Sequence, residues 1–211
     1  MQLDDRFPAS DNSCSLFFAT EGFVVPSAAL TRWQSDRMPR LGHVEAHCAA
    51  LLAPPPPPLA EESLQGYVML VSGHFQGFCR DLYTECIQLC AAAAPTAMRT
   101  TIQTQFAAGA ALNTGNPTIE NIRKDFERFG FLLNLAGAAP GNPQRVTHLG
   151  HLNYWRNHVA HQKATPPPTG VPAVLTLADV QVWQASCDGL AASMDDIMRQ
   201  ELTRILGAAP W

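Results

Sequence analysis

No stretch of this chain approaches the roughly 20 uninterrupted apolar residues that cross a bilayer, so a membrane-spanning helix is not expected. The first residues also lack a basic region followed by an apolar run. Asp4 and Asp5 stand where a secretory leader carries positive charge, and no export is expected. Apolar and polar residues never alternate with period two for long enough to make a sheet. A phosphate-binding glycine loop, a dinucleotide fingerprint, a Gly-x-Ser-x-Gly elbow and a paired-histidine zinc-protease helix are all missing. Charged residues are only 15% of the chain and sum to -4, which argues against indiscriminate binding of nucleic acid by the whole surface. The expectation is a cytoplasmic protein without membrane contact.

Six cysteines are present, but with neither a leader nor a short-spaced framework they are expected to be free thiols. Cys79, Cys86 and Cys90 recur at helical spacing, as a small apolar strip in a core does. Hydrophobic residues make up 46% of 211, enough for one domain with a sizeable core. The 17 prolines cluster in runs and act as punctuation.

Residues 1–25 show no sustained period and read as a tail, partly docked through Leu16, Phe17, Phe18 and Phe23. A single helical domain is expected over 26–206. Its first helix starts near Pro26 and Ser27 and runs towards Leu52 with an interruption at Pro39, followed by a polyproline spacer, Pro54 to Pro58. Leu64, Val68, Val71, Phe75, Phe78, Leu82 and Leu89 step by threes and fours along a long buried helix. Gly66, Gly73 and Gly77 lie on its other side. Glycine costs about 1 kcal/mol inside a helix, and close approach of another helix is the simplest compensation.

Further helices are expected from Pro95 to about Ala111, from Thr118 to about Gly137, and from about Gln144 to Gln162. The last opens with the capping pair Thr176 and Asp179, and little beyond Leu206 need be ordered. Long amphipathic helices on short connections make an all-α bundle.

The candidates for chemistry concentrate between His148 and His161, which holds four of the 7 histidines beside Arg156 and Asn157. Three readings stand side by side. His148 with His151, and His158 with His161, are three apart and so neighbours on a helix, but no Asp, Glu or Cys in the stretch completes a metal site. In a purely structural reading Trp155 and Val159 face the core while Arg156 and the histidines face water.

The third reading rests on resemblance. The string WRNHVAH resembles the Arg-Asn-x-x-x-His signature of HEPN domains, helical proteins that include many bacterial toxin and defence ribonucleases. LVSGHFQGFCRDLYTEC is similar to the aromatic-rich second helix of the RiboL-PSP and related MAE-type HEPN subfamilies, and NPTIENIRKDFERFG to their Asn-Pro-started helix ending in Phe-Gly. The three elements come in the expected order over roughly residues 60 to 165. The resemblance implies a HEPN-like bundle and an endoribonuclease, a toxin or a defence or stress effector, with catalytic residues Arg156, Asn157 and His161. No cofactor and no metal is implied. The partners implied are RNA, a second copy of the chain, and an antitoxin or defence-system protein. A catalytically inactive HEPN module that dimerises and binds RNA or a protein is the alternative.

Two departures from the family pattern stand out. Gln76 occupies a position where many relatives have Glu, with Asp81 as a candidate replacement, and Lys163 stands where relatives controlled by nucleotidylation have Tyr.

Chemically, a histidine with its ordinary pKa near 6.5 serves as proton acceptor in one state and donor in the other. Arg156 supplies a permanent planar fork for phosphoryl oxygens, and Asn157 lies four residues before His161 on the same helical face. Arg156 and His161 are five apart, rotated by roughly 140° on a regular helix, so a composite site from two copies is expected. Arg123, Lys124, Arg128, Arg145, Arg156 and Lys163 outweigh Asp125 and Glu127 in the middle of the chain, and Arg123, Arg145 and Lys163 are the candidate RNA contacts.

Overall fold

Ser27 starts the first helix, its hydroxyl accepting from the Leu30 N–H at 3.0 Å. In the computed structural model, which describes residues 25–52, 59–162 and 166–211, helix α1 (Ala28–Arg32) passes through a π-helical turn (Trp33–Arg37) into α2 (Met38–Leu51). The interruption expected at Pro39 takes this form. Proline has no N–H to return to the preceding turn and its ring crowds the carbonyl four residues back, and the widened turn lies just before it. The Ala28 and Ala29 N–H groups donate to the Glu85 carboxylate at 3.0 and 2.9 Å, and Ser27 N–H to Asp195 at 3.3 Å, which ties α1 to two other helices. The tail, except for Val25, and the spacer Pro54 to Pro58 lie outside the described residues.

Helix α3 (Leu59–Ala93) is the axis of the bundle. Leu64, Val68, Val71, Phe75, Phe78 and Leu82 are buried as their spacing predicts, and Leu89 is half-buried. Trp33 sets its ring against Phe75 and Phe78 at 6.0 and 5.8 Å. Each such fully buried side chain contributes about 1.5–3 kcal/mol relative to exposure. Helices α7 (Asn142–His161) and α8 (Leu177–Leu206) pack on α3 and on each other. Thr176 and Asp179 form the expected capping box. The architecture is an all-α bundle, with no strand among the described residues. No described helix is long and apolar enough to cross a membrane.

The glycine side of α3 differs from expectation. A Cβ at Gly66 or Gly73 would meet nothing within 4 Å among the described residues, so no described helix closes on these positions. At Gly77 the neighbour is a side chain: a Cβ would lie 1.7 Å from Arg37 Nη1. The Arg37 guanidinium crosses there to the His74 carbonyl at 2.9 Å and the Asp81 carboxylate at 2.5 Å.

Three boundaries also shift. Helix α4 (Thr96–Ala107) stops short of Ala111 because Gly109 turns the chain with φ +67°, and a short helix α5 (Ala111–Thr114) follows. Helix α6 (Ile119–Phe126) starts at the expected cap, Thr118, but after a 3-10 turn (Glu127–Phe129) it ends at Gly130 with φ 88°, well before Gly137. Beyond α8, Trp211 returns to pack against the core. Cys79, Cys86 and Cys187 are free and buried, and burial pushes their thiols well above the ordinary range, so they remain neutral and unreactive.

Candidate active site

The turn from Leu112 to Pro117 is held against α7 by side-chain amides from three different helices. Gln76 of α3 donates to the Gly115 carbonyl at 2.6 Å, and to that of Leu112 at 2.8 Å. Asn121 of α6 donates to the Asn116 carbonyl at 2.8 Å, and Asn153 of α7 to that of Pro117 at 3.1 Å. Three consecutive carbonyls thus each accept from a different helix. Gly115 makes the approach feasible, since a Cβ there would lie 2.5 Å from Asn121 Nδ2.

One turn beyond Asn153, the Asn116 side chain reaches α7 and donates from Nδ2 to Asn157 Oδ1 at 2.6 Å. Arg156 Nη1 donates to the same oxygen at 3.2 Å. A guanidinium has donors only, so the Asn157 atom facing it must be the oxygen and the amide NH2 must point the other way. Arg156 and Asn157 are half-exposed, and Arg156 pairs with no carboxylate among the described residues. His161 is the last residue of α7 and exposed, and Gln162 behind it closes the helix in the left-handed conformation, φ 46°. The motif therefore sits at an open helix end with unused donors.

Gln76 acts here as a donor. A carboxylate at its position would face the carbonyls of Leu112 and Gly115 and repel them, so the missing Glu and the clamp on the turn are one fact. Asp81 does not substitute for the acid. Its carboxylate is bound by Arg32 at 3.0 Å and Arg37 at 2.5 Å, on the side of α3 that meets α1 and the π-helical turn.

The candidate RNA contacts are less gathered than the sequence suggested. Arg123 is exposed and pairs with Glu127 at 2.9 Å, a contact that water and salt weaken. Arg145 donates to Asn142 at 2.9 Å and lies against Gly189 of α8, where a Cβ would come within 2.4 Å of its guanidinium. It is eleven residues from Arg156, roughly 16 Å along the helix. Arg128 is spent on the α4 terminus, donating to Phe106 at 2.8 Å. Lys163 lies outside the described residues.

Among the described residues no three His, Cys, Asp or Glu side chains gather as a metal site. His148 and His151 are neighbours, with ring centres 6.1 Å apart, but His148 Nδ1 meets Ser186 Oγ at 2.8 Å and its Nε2 meets Gln144 at 2.7 Å. Ser186 already donates to the Val182 carbonyl, so His148 Nδ1–H donates to Ser186 and Nε2 accepts from the Gln144 amide, as a neutral imidazole does.

Burial, and then the charge of His151, hold the pKa of His148 below its ordinary value. The unfolded imidazole gains its proton near pH 6.5 and the folded one only at lower pH. Between these values the unfolded state binds more protons, so stability falls as pH drops from about 6.5. The urea midpoint is expected to decline from pH 7 to 5, and the decline to be shallower in His148→Gln. Identical slopes in the two proteins would contradict this assignment.

On another face of the α7 end, Trp155 and His158 border a half-open cavity of about 600 Å3 with Leu52, Leu64 and Val174. Compared with protein-family models, curated proteins and solved structures, the chain matches none. Asn116 figured in the sequence only as the start of the Asn-Pro helix pattern, before the helix-capping Thr118, and its place beside Asn157 was not legible there.

Proposed function

We propose that this chain is a HEPN-type endoribonuclease that cuts RNA by attack of the ribose 2′-hydroxyl, without a metal cofactor. The observation that supports it best is the outward-turned donor pair. Arg156 has no carboxylate partner among the described residues, and Asn157 accepts with its oxygen and keeps its NH2 free. With His161 exposed at the same helix end, the three side chains match what the reaction needs.

In the proposed reaction one His161 imidazole accepts the 2′-hydroxyl proton as the 2′-oxygen bonds to phosphorus. The bond from phosphorus to the 5′-oxygen breaks, and the same His161, now protonated, gives that oxygen its proton. Arg156 and the Asn157 NH2 hold the non-bridging oxygens as charge builds on them. The products are a 2′,3′-cyclic phosphate and a 5′-hydroxyl. The test is cleavage of mixed RNAs by the purified chain in chelator.

The working unit is a homodimer on this reading. A rotation of roughly 140° separates Arg156 from His161 on one helix, so Arg156 of one copy and His161 of the other serve one phosphate. Mixing inactive Arg156→Ala with inactive His161→Ala protein is then expected to restore up to about a quarter of the wild-type rate, since half of the chains form mixed dimers with one intact site each. No recovery, with exchange of subunits verified, would rule out the composite site. An antitoxin or defence-system protein is the regulatory partner that the family resemblance suggests.

Gln76 favours a second reading, a catalytically inactive module that binds RNA or a protein through this surface, because its amide clamps a turn and supplies no acid to the site. Binding of RNA with no cleavage under any condition would select it.

A further inference from the structure

The molecule offers several features outside the motif, among them the cavity beside Trp155, the His148 pair and the exposed glycine side of α3. The contact that leads furthest is the one between Asn116 and Asn157.

We propose that Asn116 is a positioning residue that fixes the Asn157 amide so that its NH2 joins the Arg156 guanidinium in holding a phosphodiester. This deepens the ribonuclease reading and rests on it for the chemistry, though binding of the phosphodiester is separable from its cleavage. A free asparagine at a half-exposed helix position turns its amide either way and presents oxygen or NH2 with little preference. Here two donors, Asn116 Nδ2 at 2.6 Å and Arg156 Nη1 at 3.2 Å, meet the same oxygen. Flipping the Asn157 amide would set its NH2 against the guanidinium, which has donors only, and would keep the Asn116 contact only if that amide turned over as well. The outward group is therefore a donor, suited to a phosphate oxygen.

Asn116 holds this role because its backbone cannot drift. The carbonyls of Gly115, Asn116 and Pro117 are fixed by Gln76, Asn121 and Asn153, so the side chain is delivered to Asn157 from a rigid turn. Arg156 gains as well, since its contact to Asn157 Oδ1 keeps one edge of the fork beside the amide and leaves its remaining donors for the ligand.

Asn116→Asp is the informative change. A carboxylate only accepts, so it would draw the Asn157 NH2 inward, turn its oxygen towards the ligand and attract Arg156 to itself. The probe is a single-stranded RNA oligonucleotide methylated at every 2′-oxygen, which keeps the phosphodiesters and cannot be cut by this route. Affinities are measured for the full chain, for Asn116→Ala, Asn116→Asp and Asn157→Ala, and for both Asn116 changes made in Asn157→Ala, with melting temperatures alongside and cleavage of unmodified RNA in parallel.

The expected result is a loss of about tenfold in affinity for Asn116→Asp and a smaller one for Asn116→Ala; in the Asn157→Ala background the Asn116→Ala loss vanishes and the Asn116→Asp loss shrinks to the part due to its charge. An equal affinity loss for Asn116→Ala with and without Asn157 would overturn the proposal, because a role confined to folding gives that pattern. So would unchanged affinity in Asn116→Asp. If the coupled pattern holds and unmodified RNA is never cut, the positioning role stands and the ribonuclease reading fails. Cleavage without coupling overturns the positioning role and leaves the ribonuclease reading standing, and absence of both binding and cleavage overturns both.

Discussion

His161→Ala is expected to lower RNA cleavage by about two to four orders of magnitude, the usual worth of a positioned general acid or base. Arg156→Ala is expected to lose about two to three, as when one charge-stabilising donor is removed from a developing oxyanion. Both side chains lie at the α7 end, His161 exposed and Arg156 half-exposed, and neither fills the core. Melting temperatures and helical circular dichroism should therefore stay close to wild type, with a shift of no more than about 2 °C. Arg156→Lys separates charge from geometry: the ammonium keeps the charge and loses the planar fork, so most of the deficit should remain. Equal loss of fold and activity in His161→Ala would return the motif to a structural role.

Asp125→Ala is expected to destabilise the fold by about 3 kcal/mol, the second large effect. This carboxylate is wholly buried and accepts from the Ala111 N–H at 2.7 Å and the Leu112 N–H at 2.8 Å, capping α5 from α6. Hydrogen bonds to a charged group contribute about 1.5–3 kcal/mol each, and removal of the carboxylate leaves the buried Leu112 N–H without an acceptor. For a chain of this size the loss corresponds to a fall of roughly 10 °C in melting temperature. Asp125→Asn keeps one acceptor and should lose about half as much. Because α5 leads directly into the Gly115 to Pro117 turn, oligonucleotide binding should weaken in both variants. Urea denaturation decides it, and a loss below about 1 kcal/mol in Asp125→Ala would contradict the capping role.

The contrast between these residues shows what the sequence conveys. The apolar face of α3, the Thr176 and Asp179 box and the Thr118 cap are local patterns, read from neighbours three or four residues apart, and the helices lie where those patterns put them. The early stop of α6 turned on Gly130 taking a left-handed conformation where the pattern of apolar residues ran on to Leu133. Asp125 counted as an ordinary charge in a basic stretch, because its partners are backbone N–H groups that no residue type advertises.

The site was legible in the same uneven way. Arg156, Asn157 and His161 share a short string on one helix, whereas Asn116 comes from a turn 41 residues away. Gln76 read as a missing acid, and its two carbonyl acceptors give the residue a purpose that a comparison with Glu conceals. Arg145 counted towards a basic surface, yet Gly189 makes room for it inside the α7 and α8 contact. Charge composition locates cations along the chain, and only the packing tells which of them are already engaged.

Cleavage of RNA by the 2′-hydroxyl without metal is tested most directly at the ends it produces. The purified protein is incubated with mixed RNAs in excess chelator and the new ends are mapped chemically. The expected result is cleavage that survives chelation, is lost in His161→Ala, and leaves 2′,3′-cyclic phosphate beside 5′-hydroxyl ends. Products bearing only 3′-hydroxyl ends, or cleavage that stops in chelator, would contradict it, since those outcomes belong to a metal-activated water.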